Sequence, residues 1–118
     1  MRILIADDND IVRRGIVALL SRVPAWTICG EAVNGADTLQ KTRELQPDLV
    51  LLDVSLPDAN GLEITRRLRA DFPTIRILVI SQHNPRLLLP QAMGAGANGC
   101  LDKGCLGMDL LAAIEKIK

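Results

Sequence analysis

Five side chains in this 118-residue chain stand where chemistry can be done: Asp7, Asp8, Asp53, Ser81 and Lys103. Each closes or follows a short apolar run. Asp7 and Asp8 close Ile3-Leu4-Ile5-Ala6, and Asp53 ends Leu49-Val50-Leu51-Leu52. Ser81 closes Ile77-Leu78-Val79-Ile80, and Lys103 follows Asn98-Gly99-Cys100-Leu101-Asp102. If these runs are parallel strands of one open sheet, their ends share an edge, and such sheets bind ligands beyond that edge. Three carboxylates gathered there repel one another, and a proton or a cation must relieve them. A hard divalent ion does so naturally; magnesium takes one or two carboxylates, some waters and a phosphate oxygen. Ser81 can donate to an oxyanion, and Lys103 adds a mobile positive charge. A carboxylate nucleophile, a metal, a hydroxyl and an ammonium are the parts needed to accept a phosphoryl group. Catalysis there is mainly positioning and charge neutralisation.

Singly, each residue has a plainer reading. Asp7 or Asp8 could cap the helix that follows, Ser81 could be a turn residue, and Lys103 could be solvated surface. Asp53 could be a satisfied acid at a strand–loop junction. Their coincidence at the ends of successive runs is what these readings leave unexplained.

The elements that must position them follow from hydrophobic pattern. Strands are expected at 2–6, 27–32, 48–53, 75–80 and 97–101, continuous in Ile, Val and Leu as when both faces are covered. Helices are expected near 10–22, 35–46, 60–71, 86–95 and 106–117. The first repeats Val12, Ile16, Leu19, Leu20 and Val23 at helical spacing; the last repeats Leu106, Leu110, Ala113, Ile114 and Ile117. Alternating strand and helix imply a parallel sheet with right-handed crossovers, a three-layer α/β sandwich. Periodicity leaves the strand order open. Pro90 falls inside the fourth helix and removes a backbone donor, so that helix either starts later or kinks. Leu87-Leu88-Leu89 offers more apolar surface than one helix face needs, which serves core packing or a partner.

Composition bounds the rest. The length suits one domain, and zero net charge with a pI near 6.6 gives no global footprint for nucleic acid. Arg13-Arg14 and Arg66-Arg67-Arg69 read as solvated helix faces. No apolar run reaches a membrane span, and the first strand starts too early for a signal peptide. Three cysteines, Cys29, Cys100 and Cys105, lack metal-ligand spacing and read as free thiols in a reducing cytoplasm.

Together these motifs resemble the receiver domain of bacterial two-component response regulators, across essentially the whole chain. The resemblance rests on Ile3-Leu4-Ile5-Ala6-Asp7-Asp8, Asp53 with Pro57 and Gly61, Ser81 after its strand, and Lys103 after Gly94-Ala95-Gly96-Ala97-Asn98-Gly99. Val12-Arg13-Arg14-Gly15 and Asn60-Gly61-Leu62-Glu63, with no proline after Lys103, look like the NarL/LuxR-type subfamily. The resemblance implies the flavodoxin-like (βα)5 doubly wound fold, with strand order 2-1-3-4-5. It further implies that Asp53 accepts a phosphoryl group from a sensor histidine kinase or a small acyl phosphate. Asp8 matches the acid that binds Mg2+ directly, Asp7 the one acting through metal-bound water, and Ser55 a backbone-carbonyl ligand. Ser81 matches the switch hydroxyl and Lys103 its phosphoryl-contacting partner. The output surface implied is the fourth helix, fifth strand and fifth helix, with the first helix available for a homodimer. Regulators of this subfamily continue into a DNA-binding helix-turn-helix domain; residues 1–118 hold the receiver alone, and DNA contact is expected only outside them.

Two positions depart from that pattern. The family often has an aromatic three residues before the lysine; here it is Cys100, and the only aromatics are Trp26 and Phe72. Gln82 replaces the usual small residue after the switch hydroxyl; His83, the only histidine, reads as a loop or surface residue. These departures support an alternative, a pseudo-receiver that signals without phosphate. A small magnesium-dependent phosphatase is a third reading, with no room for a lid, and Asp7-Asp8 stands where a flavodoxin would cradle phosphate.

Overall fold

The structure, a computed structural model, describes residues 1–82 and 85–118. Strands β1 (Arg2–Ala6), β2 (Thr27–Ala32), β3 (Leu49–Asp53), β4 (Arg76–Ser81) and β5 (Gly99–Asp102) alternate with helices. These are α1 (Asp10–Leu20), α2 (Gly35–Leu45), α3 (Gly61–Asp71), α4 (Pro85–Ala95) and α5 (Leu106–Ile117). All four strand pairings are parallel, and the order is β2-β1-β3-β4-β5. This is the doubly wound flavodoxin-like sandwich that the resemblance implied.

Strand parity divides the core. Ile3, Ile5, Leu49, Leu51, Leu78 and Ile80 pack with Ile16 and Leu20 of α1 and Leu110 and Ile114 of α5. Leu4, Ala6, Val50, Leu52, Ile77 and Val79 pack with Ile64 and Leu68 of α3 and Ala92 of α4. Every residue of β3 is buried, which explains a run with no polar member before Asp53. Each fully buried aliphatic side chain contributes about 1.5–3 kcal/mol, so the central strands hold the sheet edge rigidly.

Several boundaries differ from those expected. The first helix ends at Leu20, two residues early, because Ser21 and Val23 turn back onto Val17 O and Leu20 O. The fifth strand starts at Gly99 rather than 97; Ala97 N instead closes α4 onto Ala92 O, and Asn98 N meets Ile77 O. The fourth helix runs unbroken from Pro85 through Pro90, so it does not start late. Pro90 is exposed and lies in the second turn, where one lost bond is tolerated. Of the three leucines, Leu88 packs into the core, while Leu87 is 77% and Leu89 41% exposed.

Candidate functional site: an acidic pocket at the sheet edge

Register explains how the acids meet. Ala6 pairs with Leu52 and Asp53 pairs with Ile80, so Asp7 comes level with Asp53 one position beyond β1. Asp7 continues the parity of Ile3 and Ile5, and Asp53 that of Leu49 and Leu51, which places both on the α1/α5 side. Asp7 and Asp53 are buried and Asp8 is exposed; one carboxylate oxygen from each lies within 4.8 Å of the others. Neither Asp7 nor Asp8 caps α1. That task falls to Asn9, whose Oδ1 accepts from Ile11 N at 2.9 Å and Val12 N at 3.2 Å. The acids are thereby spared for other work.

Lys103 opens a single 3-10 turn (Lys103–Cys105) after β5, capped by Asp102, which accepts from Gly104 N at 2.8 Å. Its Nζ reaches 2.9 Å from Asp7 Oδ2 and 3.2 Å from Asp53 Oδ2. Desolvation pulls the ammonium's pKa down, but the neighbouring Asp7 and Asp53 carboxylates outweigh it, and the net direction is upward. Asp7 Oδ1 accepts from Asn9 N at 2.8 Å, whereas buried Oδ2, among the described residues, makes the ion contact without an aligned hydrogen bond. Coulomb attraction does not need that alignment, so the contact counts as an ion pair. Asp53 Oδ1 accepts from Ser55 N at 3.0 Å.

A cavity of about 360 Å³ opens beside these groups, lined by Asp8, Asn9, Asp53, Ser55, Gln82 and Lys103. Four of the six expected residues line it, and Asp7 lies behind Lys103. Ser81 is fully buried at the end of β4 and is not in the lining. It shares parity with Ile77 and Val79, toward α3 and α4, while Gln82 returns to the side of Asp53. His83 lies outside the described residues.

The donor set fits a hard divalent cation. Three carboxylates converge within 4.8 Å, one buried oxygen has an unaligned lone pair, and one side is open to solvent.

Two functional contacts escaped the sequence reading. Arg13 and Arg69 are half-buried and hydrogen-bonded, whereas Arg14, Arg66 and Arg67 are exposed. Arg13 Nη1 donates to Asp7 O at 2.6 Å and Nε to Glu31 Oε1 at 3.0 Å, and the guanidinium also pairs with Asp10. It therefore braces the turn carrying the acids. Arg69 donates to Gly96 O, Pro73 O, Ile75 O and Asn98 Oδ1, tying α3 to the start of β4 and the approach to β5. A basic residue at a half-apolar helix position was the only signal available.

A parallel five-stranded sheet with converging acids and a lysine at its carboxyl edge is the architecture of a signal receiver. The family model for the response regulator receiver domain matches residues 3–115, and the chain belongs to that family. It is 35% identical over 117 residues to the response regulator GacA of Pseudomonas viridiflava, covering 99% of this chain and 55% of that protein. It is 34% identical to the DNA-binding transcriptional activator DevR/DosR of Mycobacterium tuberculosis, covering 99% and 54%. Among solved structures, a LuxR-family two-component response regulator from Aurantimonas sp. SI85-9A1 superposes with a TM-score of 0.92 at 35% identity. That match covers 98% of this chain and 83% of the other. The chain thus spans about half the length of the curated relatives it matches. Among the described residues, no helix is long and apolar enough to cross a membrane.

Proposed function

We propose that this receiver domain accepts a phosphoryl group on Asp53, from a sensor histidine kinase or a small acyl phosphate, and passes the signal to an effector. The observation carrying this reading is the convergence of Asp7, Asp8 and Asp53 with Lys103 around a solvent-open cavity. An oxygen of Asp53 attacks phosphorus, a P–O bond forms, and the bond to the donor's imidazole or carboxylate breaks with its electron pair leaving on the donor. The product is an acyl phosphate. Magnesium, held by Asp8, Asp53 and the Ser55 carbonyl with Asp7 through water, would neutralise phosphoryl charge. Lys103 exchanges its hold on Asp53 for the new anion. Ser81 gains a contact with the phosphoryl oxygens that the resting state lacks, which biases the β4–α4 segment. There is no diffusible product, so the role is regulatory. The DNA-binding activator among the relatives supports an output through a helix-turn-helix domain outside residues 1–118.

Intact-protein mass after incubation with MgCl2 and acetyl phosphate tests this, beside Asp53→Asn. One added phosphoryl group, lost in the variant and in EDTA, is the expected result. A protein refusing both acetyl phosphate and phosphorylated kinase would instead be the pseudo-receiver that Cys100 and Gln82 suggest.

A further inference from the structure

The β3–α3 loop, residues 54–60, carries an anchor that this chemistry does not account for. Asp58 is exposed, yet both of its oxygens are engaged by the opening turn of α2. Oδ1 accepts from Gly35 N at 2.6 Å and Oδ2 from Ala36 N at 3.0 Å. A helix begins with N–H groups that have no partner inside it. In α2, Asn34 Oδ1 takes the one from Asp37 at 2.8 Å, and Asp58 takes the two before it from 23 positions along the chain. An anion on the positive end of a helix makes charge-assisted bonds. The two N–H groups accordingly hold the Asp58 carboxyl below its ordinary range. The fit is close: a Cβ on Gly35 would lie 3.1 Å from Asp58 Oδ1, 2.9 Å from Ile64 Cδ1 and 3.2 Å from Ala59 Cβ.

The loop so anchored is the one that lines the acidic pocket. It leaves Asp53 through Ser55, whose N–H holds Asp53 Oδ1 at 3.0 Å. It ends at Gly61, whose N–H returns to Val54 O at 3.0 Å and which has no room for a Cβ against the Val54 backbone. Both ends are thus fixed within the loop itself, and Asp58 ties the tip to a different element.

We propose that Asp58 is a positioning residue for the pocket: by latching the loop to α2 it sets the place of Ser55 and, through the Ser55 N–H, of the Asp53 carboxylate. This rests on the reading of the pocket as a magnesium-dependent phosphoryl acceptor. Groups that orient a ligand without touching the metal typically carry 10–100-fold in affinity. Coupling is reciprocal, so an ion bound in the pocket must also tighten the latch.

The test is calorimetric titration of MgCl2 into wild type, Asp58→Ala and Gly35→Ala, with amide hydrogen exchange on the wild type. Asp58→Ala is expected to weaken Mg2+ binding about tenfold, the low end of that range because it acts through backbone. Gly35→Ala keeps the carboxylate but displaces it, and should follow in the same direction. In wild type, the amides of Gly35 and Ala36 should exchange more slowly with MgCl2 than in EDTA. Variants that melt lower but bind Mg2+ as wild type does would reduce Asp58 to a helix cap and overturn the proposal. Should the variants fail to fold, exchange in the wild type decides, and amides indifferent to MgCl2 overturn it. A wild type that does not bind MgCl2 removes the pocket reading and the latch together.

Discussion

Replacing Lys103 with methionine would take the positive charge out of the acidic pocket while keeping most of the stem. Nζ stands 2.9 Å from Asp7 Oδ2 and 3.2 Å from Asp53 Oδ2, and both acidic side chains are 2% exposed. At an effective dielectric of about 20, each contact is worth roughly 5–6 kcal/mol of attraction. Desolvation offsets much of that, and removing one partner of a buried pair costs about 3–5 kcal/mol net. The acids left behind have oxygens within 4.8 Å, a repulsion of about 3.5 kcal/mol on the same scale. In EDTA at neutral pH the variant should therefore lose about 4 kcal/mol, a fall of about 15 °C in Tm for a domain of this size. MgCl2 should restore it by replacing the missing charge. Thermal melts at neutral pH, with EDTA or MgCl2, make the measurement. A variant melting within a degree or two of wild type in EDTA would contradict the ion-pair account, as would one whose loss MgCl2 does not repair.

Wild-type stability should fall at alkaline pH. The Lys103 ammonium is held above its ordinary 10.5, so its contribution is complete below that value and is lost as pH rises through the higher folded value. Melts of wild type and Lys103→Met should converge there. Gly61→Ala would set a Cβ 2.4 Å from Val54 Cα and 2.7 Å from Val54 O, a clash with backbone costing about 3 kcal/mol in urea unfolding. Arg69→Met loses bonds to Gly96 O, Pro73 O, Ile75 O and Asn98 Oδ1, and should cost about 2–3 kcal/mol by the same assay. Gln82 lines the pocket beside Asp53, so Gln82→Ala should change the rate of phosphoryl uptake or of hydrolysis; unchanged rates in a mass time course would remove that role.

The strands were legible because the sheet is buried on both faces, which leaves runs such as Leu49-Val50-Leu51-Leu52 with no polar interruption. Asp53 at the end of such a run stood out for the same reason. The contacts of Arg13 and Arg69 were not legible. Asp7 O for Arg13, and Gly96 O, Pro73 O and Ile75 O for Arg69, are backbone carbonyls, which are the same in every sequence. Asp58 was hidden similarly, since a Pro-Asp pair reads as a turn whether or not its carboxylate finds a distant helix start. The late start of β5 depends on Asn98 N meeting Ile77 O, a matter of register between strands.

Register also bears on how a signal leaves the pocket. Ser81 shares parity with Ile77 and Val79, toward α3 and α4, while Asp53 belongs to the α1/α5 side. On the reading proposed above, its hydroxyl would have to turn toward a phosphoryl group on Asp53. Cys100, paired with Val79, offers no ring to rotate in response. It instead helps line a groove of about 700 Å³ with Leu89, Leu101, Ala113 and Ile117. Trp26 packs in the core beside α1 and Phe72 ends α3, so neither can substitute. On that reading, coupling would run through β4 and α4 themselves. A hydroxyl bonding a charged oxygen contributes about 1.5–3 kcal/mol, whereas carrying a switch from 1:99 to 99:1 takes about 5.5 kcal/mol. On the reading proposed above, Ser81 alone would support a graded response. A sharp one would require the differential contact of Lys103 as well, making the lysine part of the proposed switch and not only the resting counter-charge.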